Sequence, residues 1–146
     1  MVLPLTLVIA AACAVINLWL SVRVTQRRLA GKVMMGDGGD SLMLSRGRSH
    51  ANFAEYAPFV LILTGLIELA RGASPWLWGL GVLFVLARIA HPLGMDRPAP
   101  NPLRAGGFLV TNLVLAILAG WALAIAYAAE TAPAPTNAIE LAPASA

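Results

Sequence analysis

Apolar residues along this chain gather into four long runs separated by short polar stretches. The first, from Val2 to Val22, contains no charged side chain. A membrane-spanning helix needs roughly 20 apolar residues to cross about 30 Å of hydrocarbon. The pattern predicts four spans, at about 2–22, 47–70, 75–91 and 103–128. Only Arg71-Gly72-Ala73-Ser74 separates the second from the third. A connection that short forces antiparallel neighbours. The expected class is all-α, an integral membrane four-helix bundle.

The first run differs from a cleavable signal peptide. No basic residue precedes it, it is too long, and it ends in Leu18-Trp19-Leu20 before Arg23. Trp19 near a helix end fits an interfacial anchor. Trp76, Trp78 and Trp121 read as anchors or packing residues.

Composition agrees with a membrane protein. Of 146 residues, 59 % are hydrophobic and 12 % charged, against roughly 45–50 % and 25 % in soluble domains. That excludes a disordered chain and leaves too little charge for a solvated surface. A net charge of +3 is small, and no nucleic acid partner is expected. One cysteine, Cys13, rules out an intrachain disulfide and a cysteine-based zinc site. It lies in mid-helix and reads as a packing residue.

The placement of the basic residues says more than their sum. Arg23, Arg27, Arg28, Lys32 and Arg46 fall in the first loop, with Arg97 and Arg104 in or beside the third. The other side has Arg71 and the acidic tail residues Glu130 and Glu140. By the positive-inside rule, loops one and three are cytoplasmic and both termini outside. Gly36-Asp37-Gly38-Gly39-Asp40 reads as a flexible turn lacking the oxygen-ligand spacing of a calcium loop. No metal is expected. Residues 129–146, rich in Ala and Pro, are expected to be disordered.

Charged groups inside a membrane helix cost several kcal/mol and usually face a bundle or cavity. In the second span Arg48, Asn52 and Glu55 fall within about 60° on the helical wheel. Glu68 falls nearly opposite, close to the outer end, where water is expected to reach it. Arg88 and His91 share a side of the third span, and Arg104 opens the fourth. These groups lie at one depth near the cytoplasmic surface. Arginines bind carboxylates, a glutamate takes an ammonium, and an amide both donates and accepts. The set suits a small zwitterion carrying carboxylates and an amine. An arginine also favours a thiolate.

The run Arg48-Ser49-His50-Ala51-Asn52-Phe53-Ala54-Glu55-Tyr56-Ala57-Pro58 resembles the second-helix signature of the MAPEG family, the membrane-associated proteins in eicosanoid and glutathione metabolism. Leu66-Ile67-Glu68-Leu69 resembles its small bacterial members, and Ala87-Arg88-Ile89-Ala90-His91 its third-helix motif. The likeness covers roughly residues 1 to 128. It implies a homotrimer, in the inner membrane of a bacterium, with glutathione sites between subunits near the cytoplasmic face. Glutathione is then a cosubstrate, and a lipophilic electrophile enters from the lipid. Arg48, Asn52, Glu55, Arg88 and His91 match glutathione-binding positions, and Glu55 suits the γ-glutamyl amine. Arg104 resembles the arginine that stabilises the thiolate. Arg23 corresponds more loosely to a basic residue that holds a carboxylate.

Departures narrow the activity. Ala51 stands where many eukaryotic members have arginine, and Met95 where a tyrosine is familiar. Ala105 replaces the serine of the prostaglandin E synthase branch, and Phe108 stands where a tyrosine is common. Phe108 retains a ring that stacks on the ligand. A prostaglandin isomerase is disfavoured; a detoxifying glutathione transferase or peroxidase needs chiefly a stabilised thiolate and an apolar pocket. His50 lies about 200° from Arg48, facing a neighbouring subunit or packing internally.

Two other classes remain open. In a proton-coupled transporter Glu55 is the alternating carboxylate, although one beside several arginines stays ionised. A non-catalytic glutathione-binding protein keeps the fold and binds without turnover.

Overall fold

A computed structural model describes residues 2–132, and the rest of the expected tail, 133–146, lies outside the described residues. Four helices follow in chain order: α1 (Pro4–Gly31), α2 (Ser41–Arg71), α3 (Pro75–Met95) and α4 (Pro102–Thr131). All four are long and apolar enough to cross a membrane. The chain is an all-α four-helix membrane bundle.

Three starts are written locally. Asp40, Ser74 and Asn101 are N-caps whose side chains accept from amides of the first turn. Pro75 and Pro102 follow at positions where a missing N–H costs nothing. α1 begins at Pro4, but its N-cap Leu3 offers no side-chain acceptor. The acceptor comes from the far end of α2. Glu68 takes hydrogen bonds from the Leu5 and Thr6 amides at 3.0 and 2.8 Å and from the Thr6 hydroxyl at 2.6 Å.

That arrangement corrects the expectation that Glu68 reaches water. It is 3 % exposed. Buried carboxylates need partners, and the orphan amides of α1 supply them. The helical wheel placed Glu68 correctly away from the polar stripe, but a wheel carries no information about which helix end lies opposite.

The helices also run further than the spans. α1 has 28 residues and α2 31, about 42 and 46 Å at 1.5 Å per residue. Their excess projects as a two-helix hairpin on the basic side. The Arg27 Nε–Asp40 Oδ2 contact of 2.6 Å ties it together. Arg28 Nη1 donates to the Met34 carbonyl at 3.2 Å. The expected flexible turn is hydrogen-bonded: Asp37 accepts from the Gly39 and Asp40 amides. Gly36, Gly38 and Gly39 all have positive φ there, which favours glycine. α4 continues through Thr131, so residues 129–131 are helical.

The packing order is not circular. α2 and α3 each touch α1 and α4 as well as one another, whereas α1 and α4 do not meet among the described residues. α1 contributes a stripe, Leu5, Ile9, Cys13, Ile16 and Leu20, at helical spacing. It packs into a core with Phe53 and Val60 of α2, Leu77 and Phe84 of α3, and Val114 and Leu118 of α4. Cys13 is a buried packing residue, as the sequence reading had it. Large apolar side chains such as Leu7, Phe59, Leu109 and Leu123 stay exposed, a surface suited to lipid.

Glycines let α3 and α4 close up. A Cβ on Gly94 would collide with the Arg104 backbone. One on Gly107 would lie 2.8 Å from the Ala87 carbonyl oxygen and from His91 Cβ. Small residues at membrane helix interfaces permit such backbone contact. This fixes where the opening residues of α4 stand against the end of α3.

Candidate functional site

At the basic side of the bundle, a cleft of about 670 Å³ opens between α2, the end of α3 and the start of α4. Arg48, Asn52, His91, Asn101 and Arg104 are its polar lining, and Met95, Ala99, Pro100, Ala105 and Phe108 its apolar lining. Arg48, Asn52, His91, Arg104 and Phe108 were all singled out from the sequence. They come from three helices, and the structure brings them to one opening.

Each polar group is held in a definite sense. His91 is 5 % exposed, and its Nδ1 lies 3.0 Å from the Arg104 carbonyl oxygen. A carbonyl only accepts, so Nδ1 carries the proton and Nε2 is the acceptor of the neutral ring. Arg88 does not reach the cleft. It is fully buried, donating to Asn52 Oδ1 at 2.8 Å and to Thr111 Oγ1 at 3.1 Å. The Thr111 hydroxyl donates in turn to the Gly107 carbonyl at 2.7 Å. With its oxygen engaged, Asn52 presents its NH₂ donors elsewhere. Arg88 is thus a positioning residue for Asn52. Its guanidinium also lies 5.9 Å from the ring centres of Phe53 and Tyr56, a cation–π range.

The cleft therefore offers two guanidinium groups, an amide donor pair and the first turn of α4, with no carboxylate among the described residues that line it. Helix N-termini add positive potential. An anion is the natural occupant. Phe108 sits edge-on to Tyr56, with ring centres 6.3 Å apart, closing one end with carbon. Of the four departures from the family pattern, Met95, Ala105 and Phe108 line the cleft and Ala51 does not. None of those three carries a hydroxyl.

Two expected site residues stand apart within one chain. Arg23 is 8 % exposed and pairs with Asp96 at the end of α3. Its guanidinium lies over Trp19, 4.8 Å from the ring centre, and Arg46 joins the same aspartate at 3.5 Å. Sequence reasoning missed Asp96, though an acid after a helix that ends at a basic membrane surface was the available signal. Glu55 is exposed and forms no salt bridge among the described residues. The expectation that arginines surround it is not met among the described residues of this chain. His50 neither lines the cleft nor stands alone: its Nε2 meets Asn17 Oδ1 at 2.9 Å, joining α2 to α1.

Comparison with known proteins agrees with this architecture. The chain is 31 % identical over 86 residues to proteins named "Inner membrane protein YecN" from Escherichia coli strains K12 and O6:H1. The match takes in 58 % of this chain, which spans 65 % of the length of those curated relatives. The profile of the MAPEG family matches residues 6–124, which take in α2 and α3 whole, most of α1 and α4, and every cleft residue. A four-helix membrane bundle whose second, third and fourth helices bring Arg48, Asn52, His91 and Arg104 together thus belongs to the MAPEG family.

Proposed function

We propose that the protein is a membrane-bound glutathione transferase of lipophilic electrophiles. The observation that carries this reading is the cleft itself, whose lining joins anion-binding donors to apolar side chains. Arg48 and Asn52 bind the carboxylates of glutathione, while Arg104, at the mouth of α4, stabilises the thiolate. His91 accepts a hydrogen bond through Nε2. The thiolate sulfur forms a bond to an electrophilic carbon, whose displaced electron pair leaves with the departing group. With a lipid hydroperoxide, two glutathione molecules give the disulfide, an alcohol and water. Met95, Ala105 and Phe108 supply no proton donor, which disfavours isomerisation.

The same reading makes the protein a homotrimer. On α2, Phe53, Ala57, Val60, Thr64 and Ile67 define the buried face. Arg48, Asn52 and Glu55 centre roughly 140° away from it. Charged groups facing outward at a membrane depth are expensive. A neighbouring subunit covers them and brings Glu55 to the γ-glutamyl ammonium. Loops one and three lie in the cytoplasm, with the cleft opening toward its glutathione, and the apolar lining residues receive substrate from the bilayer.

The decisive experiment is an ultraviolet titration of the bound thiol in purified protein. A thiol pKa well below that of free glutathione, restored to the solution value by Arg104→Ala, is the expected result. No binding of glutathione in detergent or liposomes overturns the proposal. Binding with a depressed thiol pKa, but no turnover across a panel of electrophiles, reduces it to a non-catalytic binder. Glu55, exposed and without a salt bridge among the described residues, favours one second reading, proton-coupled transport. Uptake driven by a pH gradient in liposomes, abolished by Glu55→Gln, would select it.

A further inference from the structure

Asn101 lines the cleft with Arg104, and binding of glutathione gives it no task. It is the N-cap of α4, half-buried, and its Oδ1 accepts from the Leu103 amide at 3.0 Å. A backbone N–H only donates, so the atom facing it is oxygen and the other is the NH₂ group. That NH₂ forms no hydrogen bond among the described residues. The cap fixes the side chain and leaves a neutral donor as what Asn101 offers the cleft.

Four residues of α4 are in the cleft lining: Asn101, Arg104, Ala105 and Phe108. Spacings of three, four and seven put them on one face of the helix. At about 1.5 Å per residue, Arg104 stands about 4.5 Å and Phe108 about 10 Å further along the axis than Asn101. α4 descends from the basic side, so the sequence is also an order of depth. A neutral donor comes first, then a cation, then carbon. The Arg104 guanidinium has no carboxylate partner among the described residues.

A substrate whose atoms follow the same order matches this face. With the thiolate at Arg104, the attacked carbon has an acceptor at Asn101 on one side and a tail along Ala105 and Phe108 on the other. An α,β-unsaturated ketone or aldehyde has that order. Its carbonyl oxygen is followed by the carbonyl carbon, the α carbon, the β carbon that takes the thiolate, and then the chain. An epoxide carries its oxygen on the attacked carbon, and an alkyl halide has no oxygen. Neither bridges the interval from Asn101 to Arg104.

We propose that the cleft selects conjugated carbonyl compounds with an apolar tail, and that Asn101 is the catalytic residue that donates to their carbonyl oxygen. This assignment rests on the glutathione reading and names its electrophile. The thiol first releases its proton to water. The thiolate sulfur forms a bond to the β carbon, the C=C π pair shifts toward the carbonyl, and negative charge collects on oxygen, where the Asn101 NH₂ meets it. Water then protonates the α carbon, and the hydroxide left behind takes the proton that the thiol released. Nothing departs, and the net change is addition of S–H across C=C. A donor placed where charge develops stabilises the transition state more than the ground state.

The test compares a long-chain methyl alkenyl ketone with an alkyl iodide of the same chain length, using the purified full chain and glutathione. Both reactions consume the same thiolate, so the ratio of their kcat/KM values cancels any change in the thiol itself. Asn101→Asp and Asn101→Ser each keep an oxygen for the Leu103 amide. The first puts oxygen in place of the NH₂, and the second withdraws the donor by shortening the side chain. Each should lower the ketone-to-iodide ratio on the order of 10²-fold. The saturated methyl ketone, which does not react, gives a second readout. With glutathione bound, its infrared carbonyl band should lie at lower frequency on the wild type than on Asn101→Asp. A ratio that both variants leave unchanged overturns the proposal, as do coincident carbonyl bands. A wild type that consumes the iodide but not the ketone also overturns it, while the glutathione reading stands. Consumption of neither, with no glutathione bound, overturns both.

Discussion

Arg88 and Asn52 form a 2.8 Å hydrogen bond that joins a fully buried guanidinium on α3 to a cleft amide on α2. The bond gives the amide a direction: its oxygen is spent inward, so its nitrogen faces the ligand. Replacing Arg88 by Met is expected to free Asn52 to rotate and to remove the donor to Thr111. Losing a hydrogen-bonded partner at a buried acceptor costs about 1–3 kcal/mol. Expected together are a lower midpoint of thermal unfolding in detergent and weaker glutathione binding. Arg88→Lys should rescue neither fully, because an ammonium lacks the fork that meets both partners. If Arg88→Met binds glutathione as tightly as the wild type, Arg88 does not position Asn52.

Gly107 meets the Ala87 carbonyl and the His91 backbone where any Cβ would lie only 2.8 Å away. Gly107→Ala is therefore expected to push α4 from α3 and cost about 1–3 kcal/mol. Chemical denaturation in mixed micelles measures it. Gly106→Ala is the control, since nothing lies within 4 Å of its Cβ position, and it should be nearly silent.

Glu68 substitutes for the missing cap of α1. Glu68→Ala leaves the Leu5 and Thr6 amides without their acceptor, at about 1–3 kcal/mol. Hydrogen exchange at these amides should accelerate more than at mid-helix sites. Glu68→Gln retains one oxygen acceptor and should lose less. Unchanged exchange at Leu5 and Thr6 in the alanine variant would contradict the capping role.

Asp40 joins the Arg27 guanidinium to the start of α2. The hydrogen bond from Arg27, with those from the Met43 and Leu42 amides, holds its carboxyl below the ordinary value of 3.8. A group whose folded pKa is depressed stabilises above its unfolded pKa and loses that effect as pH falls through the folded one. The projecting hairpin should be indifferent to pH between neutrality and about 5, and should fray on acidification below about 4. Exchange rates of the Leu42 and Met43 amides report it. Asp40→Asn should flatten the acid dependence.

Much of this was legible in the chain. Apolar runs revealed four spans, and spacing placed Arg48 and Asn52 on one face of α2 and Arg88 near His91 on α3. Periodicity speaks of one helix at a time, which is where it stopped. Arg88 and Asn52 share a level in the sequence, yet nothing there says that Arg88 points inward and Asn52 receives it. Glu68 looked solvated because the end of α1 that it caps lies 62 and 63 residues away. Arg23 looked free because its partner Asp96 is 73 residues distant. Glu55 lies on the outward face, where no described residue forms a salt bridge with it.

The glycine contacts between α3 and α4 have a mechanical consequence. Where backbone meets backbone, no long side chain remains to flex, so the end of α3 and the start of α4 move as one piece. His91 and Arg104 ride on that piece with a constant separation. α2, carrying Arg48 and Asn52, is joined to it near the cleft through the Arg88 bond. The opening thus works as a jaw with one stiff side and one tethered side. Changes at Met95, Ala105 or Phe108 can reshape its bite without disturbing the hinge.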